Sequence, residues 1–395
     1  MARPHVLCVF GTRPEAIKLA PVIRELRMQA ARGRVSVSVC VTAQHRQMLD
    51  QVLALFEIVP DHDLSVMEDN QTPTRVAAAV LARLEPILAR ERPDWVMVQG
   101  DTTTVAAGAL AAFYQSCKVA HVEAGLRSGD KWRPFPEEIN RRVVSTIADL
   151  HFAPTERAGT QLAREGVARE RIVVTGNTVV DALLWAAALP PPADVVAQLR
   201  RLGLQDGPDR EAPPARSPAL LLVTAHRREN FGAPLEQICA ALRQIAARYG
   251  ERVRVVYPVH LNPNVWEPVH RLLSDIPNIT LTPPLDYLPF VHLLKQATVV
   301  LTDSGGIQEE APTFGVPVLV LREVTERPDG VTLGLATVTG VCTDAIVAET
   351  ARVLADRAAG APAPAAVNPY GDGKASARIV AALLGDSPDA AGRPA

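Results

Sequence analysis

The sequence predicts an α/β protein of two doubly wound parallel-sheet domains facing a central cleft, and three observations predict it. Short β-branched and apolar runs alternate with longer helical ones from the first residues onward, the mark of βαβ units and so of a parallel sheet covered on both faces. The alternation lapses over 190–218, where prolines, glycines and charges gather, and such a stretch reads as an inter-domain connection. It then resumes as a second set. A chain of 395 residues is long for one hydrophobic core and comfortable for two.

In the first set the predicted strands are His5–Phe10, 35–42, Trp95–Gln99, Lys118–Val122, Leu150–Ala153 and 171–175. Helical stretches at 16–29, 75–90 and Thr103–Tyr114 lie between them. The connection carries one helical patch at 194–201. In the second set the strands are Ala219–Thr224, 253–257, 279–281, 298–302, 317–321 and 336–339. An Ala/Pro-rich loop follows at 358–366. The helix at 373–384 has no strand after it, which leaves it able to pack back across the gap. The domains therefore run 1–189 and 219–370, joined by 190–218, with 371–386 returning across the cleft and 387–395 a frayed tail. In open α/β sheets ligands lie beyond the carboxyl ends of the strands, so residues just after each strand are the candidates for chemistry.

Composition narrows the class. Hydrophobic residues make up 48% and charged ones 21%, with a net charge of -2. That is the balance of a soluble globular protein, with no basic surface for nucleic acid or an anionic membrane. The apolar run at His5–Phe10 is too short for a signal-peptide core, and no later run is long enough for a bilayer. A cytoplasmic protein is the expectation. The cysteines Cys8, Cys40, Cys117, Cys239 and Cys342 are scattered without close pairs, which fits reduced residues and neither a disulfide frame nor a zinc site.

The first strand ends in Gly11-Thr12-Arg13-Pro14-Glu15. Pro14 suits a first helical turn, and Lys18 follows it by four residues on the same face. Arg13 and Lys18 thus set cations beside a helix N-terminus, a place for an anion; a plain strand-to-helix turn with solvated charges fits as well. The strand Trp95–Gln99 ends in Gly100-Asp101-Thr102, and Lys118–Val122 ends in Glu123-Ala124-Gly125. Asp101 alone reads as a helix cap. Two carboxylates on consecutive strands, which are often neighbours, read together as a pair suited to acid–base work. Further on, Glu137 and Arg141 share a helix face at i and i+4, which by itself describes a surface ion pair.

In the second set, Ala219–Thr224 is followed by His226-Arg227-Arg228-Glu229-Asn230, a histidine among cations at a strand's carboxyl end. The strand at 298–302 is followed by Asp303-Ser304-Gly305-Gly306-Ile307-Gln308-Glu309-Glu310. Ser304 and two glycines at a helix start offer backbone N–H groups to a diphosphate. Glu310 stands about 9 Å farther along the axis, within reach of ribose hydroxyls. Arg327 ends a later strand, and Phe290 is either a core aromatic or a stacking partner for a base. His260 and His270 read as structural. No Gly-x-Gly-x-x-Gly follows the first strand, no Walker lysine loop occurs, and no His/Cys cluster has metal spacing. No metal and no nicotinamide cofactor is expected.

Taken in order, GTRPEAIK (11–18), TAQHRQMLDQV (42–52), GDTTT (100–104), HVEAGLRSGD (121–130), PEEINR (136–141), HRREN (226–230), YPVHLNPNV (257–265), DSGGIQEEAP (303–312), TERP (325–328) and NPYGDGKAS (368–376) resemble the bacterial non-hydrolysing UDP-N-acetylglucosamine 2-epimerases from the first strand to the last helix. The resemblance implies a glycosyltransferase-B type of fold, interconversion of UDP-GlcNAc and UDP-ManNAc for envelope polysaccharide, and a homodimer. It implies a catalytic group of Asp101, Glu123, Glu137, Arg141 and His226. It implies nucleotide-sugar contacts from Arg13, Lys18, Phe290, Ser304, Gly305, Gly306, Glu310 and Arg327. Gln44, His45 and Gln47 fit a site for a second UDP-GlcNAc acting as activator. Two positions depart from relatives: Leu285 stands where some carry glutamine, and Asn70 where some carry arginine. Rival readings are a UDP-sugar glycosyltransferase of the same fold, a hydrolysing epimerase, and a non-catalytic UDP-sugar sensor.

Overall fold

The computed structural model describes residues 3–42, 46–68, 71–202, 218–360 and 368–386. Gln44, His45, Asn70, most of the predicted connection, the bulk of the Ala/Pro loop and the tail 387–395 lie outside them. The chain divides into two compact units, Met1–Leu184 with Pro369–Ala395, and Trp185–Asn368. The division falls a few residues before the predicted one, and the helix Ala193–Arg201, expected in the connection, belongs to the second unit.

The first unit is built on a seven-stranded sheet. Its strands are β1 (His5–Phe10), β2 (Ser36–Val41), β3 (His62–Asp63), β4 (Trp95–Gln99), β5 (Lys118–Val122), β6 (Leu150–Ala153) and β7 (Ile172–Val174). They pair in parallel in the order β3-β2-β1-β4-β5-β6-β7. Val6 to Phe10 are fully buried, as expected of a central strand with helices on both faces. Strand β3 has two residues, His62 and Asp63, and no β-branched run to announce it. The helix predicted at 16–29 begins at Arg13, because Thr12 and Glu15 close a capping box and Pro14 sits in the first turn. Gln47 stands in the first turn of the helix Arg46–Leu55.

The second unit carries six strands: β8 (Ala219–Thr224), β9 (Val253–Pro258), β10 (Ile279–Thr282), β11 (Val299–Thr302), β12 (Val318–Val320) and β13 (Ala336–Val338). All pair in parallel, in the order β10-β9-β8-β11-β12-β13. The two sheets share one logic. Each winds outward from its first strand, then reverses, so the order changes direction between β1 and β4 and again between β8 and β11. Such a switch point opens a crevice at the carboxyl ends of the two strands. The loops there are the ones singled out above: Gly11–Thr12 and Gly100–Thr102 in the first sheet, Ala225–Arg227 and Asp303–Ser304 in the second.

The last helix, Ala375–Leu383, packs in the first unit against the helix Arg13–Ala31. Asp181 accepts the N–H groups of Ala375 (3.2 Å) and Ser376 (2.8 Å) at its start. Arg378 is 1% exposed and donates to Asp372 (2.7 Å) and to the Thr175 carbonyl (3.0 Å). Among the described residues no single helix is long and apolar enough to cross a membrane.

Candidate active site

Strands β4 and β5 are adjacent, with Gln99 level with Val122, so Asp101 and Glu123 leave the sheet side by side. Asp101 does not cap the following helix. Thr102 does, accepting the Val105 N–H at 3.3 Å. The Asp101 carboxylate instead receives Arg141 through Nε (2.8 Å) and a terminal nitrogen (2.6 Å), both on the one oxygen Oδ2. Asn140 donates to the Asp101 carbonyl at 2.9 Å. Arg141 also reaches Glu138 at 3.3 Å, so the i, i+4 pairing expected with Glu137 gives way to an i, i+3 pairing and a contact across the sheet rim. Glu138 is fully buried. Burial would raise its carboxyl, but the Ser128 amide, Arg142 and Arg141 outweigh that and hold it below the ordinary range.

Glu123 adopts a left-handed backbone, φ 65°, uncommon for a residue with a side chain. That turn aims its carboxylate back over the strand ends, where it meets Lys18 Nζ and Gln99 Nε2 and accepts from Asn177 Nδ2 at 3.0 Å. Lys18, expected among the nucleotide contacts, is thus placed on the Glu123 carboxylate. Near the end of β5 lies His121, buried, its Nε2 donating to the Gly100 carbonyl at 2.8 Å; burial pushes its pKa down to about 4.

Glu15 supports the glycine turn. It accepts from the Gly11 N–H (2.8 Å), the Thr12 N–H (2.6 Å) and the Thr102 hydroxyl (2.5 Å), tying the loop after β1 to the loop after β4 across the switch point. Burial raises its pKa despite those donors. Beside this knot is a cavity of about 220 Å³ whose lining includes Thr12, Gln71, Thr102, Thr103, Glu137 and Asn140. Glu137 thus faces the same rim as Asp101. Arg13 opens the helix that follows Gly11–Thr12.

In the second unit the organising residue is Asp303, fully buried at the end of β11. Its Oδ2 accepts the N–H groups of His226 and Arg227 (2.8 Å each) and Asn230 Nδ2 (3.0 Å). The loop after β8 is thereby sewn to the end of β11, and His226 keeps its ring 42% exposed. That ring stacks on His260 at 5.4 Å between centroids, so His260 is not the isolated structural histidine expected, whereas His270 stacks on Trp266. Ser304 occupies the N-cap position of the short helix Gly305–Glu310 without a side-chain capping bond. A Cβ on Gly305 would come within 3.1 Å of the Arg327 guanidinium carbon, so glycine makes room for Arg327 at this helix start. Arg327 donates to Glu309 at 2.9 Å, and Glu310 is buried. Glu326 is held down to about 2, burial opposed by Arg322 and Arg327. Phe290 lies half-buried on the helix Tyr287–Gln296.

The structure thus brings Asp101, Glu123, Glu137, Arg141 and Lys18 together in the first unit, and His226, Ser304, Gly305, Gly306, Glu310 and Arg327 around one switch point in the second. Sequence reasoning assigned no role to Glu15, Gln99, Glu138, Asn177 or Asp303. For Glu15 a signal existed, since Thr12 and Glu15 have capping-box spacing. Asn177 and Asp303 act on partners 54 and 73 or more residues away, and no local pattern announces that.

Residues 27–384 match the protein family described as UDP-N-acetylglucosamine 2-epimerase. The UDP-N-acetylglucosamine 2-epimerase of Salmonella typhimurium LT2 is 52% identical over 379 residues, covering 96% of this chain and 98% of that protein. The protein of the same name from Escherichia coli K12 is 50% identical, with the same coverage of 96% and 98%. The crystal structure of the UDP-GlcNAc 2-epimerase of Neisseria meningitidis bound to UDP-GlcNAc is similar at a TM-score of 0.85 and 42% identity, covering 97% of this chain and 100% of that one.

Proposed function

The chain belongs to the UDP-N-acetylglucosamine 2-epimerase family, and from that premise we propose that it inverts carbon 2 of UDP-N-acetylglucosamine by expelling UDP and adding it back. The proton on carbon 2 has no adjacent carbonyl and is not acidic. Loss of that proton together with the carbon 1–oxygen bond, the electron pair leaving on UDP, yields 2-acetamidoglucal. Return of UDP to carbon 1, with a proton delivered to the opposite face of carbon 2, yields UDP-N-acetylmannosamine.

Each demand of this route has a group to meet it. The proton transfers fall to Asp101, Glu123 and Glu137, positioned acids and bases. Arg141 keeps the Asp101 carboxylate oriented. Departing pyrophosphate takes on charge, which Arg13, His226 and Arg327 stabilise together with the N–H groups at Ser304, Gly305 and Gly306. Glu310 reads the ribose, and Phe290 packs at the base. The observation that carries the reading is the pair of differently held carboxylates, Asp101 on a guanidinium and Glu123 on an ammonium and two amides, at the ends of adjacent strands.

The test is incubation with UDP-N-acetylglucosamine in deuterated water, followed by NMR. Deuterium at carbon 2 of both epimers, with traces of glycal and UDP, is the expected result. Substrate labelled with oxygen-18 in the bridge between carbon 1 and phosphorus should scramble its label into the non-bridging positions during turnover. Epimerisation with the label left in place would sink the elimination route.

A further inference from the structure

Among the donors that fix Glu123, one is supported by the far end of the chain. Asn177 Nδ2 donates to Glu123 Oε1 at 3.0 Å. Its own amide oxygen accepts the Val179 N–H at 3.0 Å, so the side chain is held at both ends. Its backbone N–H donates to the Tyr370 carbonyl at 2.5 Å, a residue from the last stretch of the chain but within the same unit. The two segments touch backbone to backbone. A Cβ on Gly176 would lie 3.2 Å from the Gly371 Cα, and one on Gly371 would lie 3.4 Å from the Asn177 nitrogen. Gly371 has φ 144°, a conformation that favours glycine. The contact is anchored again close by: Asp181 holds the start of the last helix, and Arg378 clamps Asp372 and the Thr175 carbonyl.

We propose that Asn177 is a positioning residue for Glu123, and that the Tyr370–Gly371 backbone braces Asn177 so that the amide stays on the carboxylate. This rests on the reading of Glu123 as an acid–base group. The brace has a physical rationale. Glu123 stands on a left-handed turn with no helix of its own to orient it, and a misplacement of about 1 Å in a reacting group costs on the order of 100-fold in rate.

Asn177→Asp separates positioning from folding. The introduced carboxylate is the same shape and still accepts the Val179 N–H, but it cannot donate to Glu123 and sets a like charge beside it. With the full chain, deuterium wash-in at carbon 2 should show kcat down on the order of 100-fold near neutral pH, with KM within about twofold. The deficit should shrink toward acid, where the new carboxyl group takes up a proton and can donate again. Gly371→Ala, which alters no group touching Glu123, should lower kcat in the same direction from the other end of the brace. Wild-type kcat and an unchanged pH profile in Asn177→Asp, or lost thermal stability in both variants with unchanged turnover per folded molecule, overturns the proposal. Glu123→Gln tells the two readings apart. If it is inactive while Asn177→Asp is fully active, the brace alone fails; if it turns over normally, the acid–base assignment fails and the brace with it.

Discussion

At Asp101 one guanidinium decides what the carboxylate does. Arg141 holds it through two nitrogens while also reaching buried Glu138. Arg141→Lys keeps the charge and loses the fork, so kcat should fall about 10- to 100-fold with little change in KM, measured by steady-state epimerisation. Asp303 does comparable work in the second unit with three donors on one oxygen. Asp303→Ala orphans buried N–H groups and should cost about 3 kcal/mol in urea unfolding, and a variant as stable as wild type would show that the loop after β8 is held by something else. At this scale the sequence was partly legible. Asp101, Glu123 and His226 were visible because each follows a strand. Their partners were not, since helical spacing pointed Arg141 at Glu137 and could not register that β4 ends in front of it.

Among elements, β5 and β6 carry a buried pair of histidines. His121 and His151 are opposite one another in register, and burial pushes each down to about 4 from an ordinary 6.5. Between those values the unfolded chain binds protons that the folded chain does not. Stability is therefore complete above about 6.5 and is lost as pH falls toward 4, by up to about 3 kcal/mol per histidine. Chemical denaturation across pH 4–7 should show this slope, and His151→Phe should flatten it; equal slopes in both proteins would exclude the pair as its source. The strands themselves were legible because buried parallel strands are apolar runs. Strand β3 was not, since two polar residues, His62 and Asp63, carry no periodicity.

For the whole molecule, the decisive fact is that the first unit is made of two separated stretches of chain. Two doubly wound sheets in series followed from the alternation of runs. The residue that fastens the last helix is not legible in the sequence, because an arginine inside a helix usually reads as solvated. Arg378→Met should cost the first unit about 2–3 kcal/mol, by stranding Asp372 and the Thr175 carbonyl. Two-transition thermal unfolding checks it: the expected result is a shift in one transition only, and a shift in both or neither would contradict the assignment.

The return of 369–386 to the first unit has a consequence during translation. Domains generally fold as units while the chain emerges, but here the amino-terminal unit lacks its closing helix until the whole of the second unit has been made. The second unit, contiguous at Trp185–Asn368, can complete first. A chain truncated after Asn368 and released should therefore protect the later sheet from protease while leaving the earlier one open.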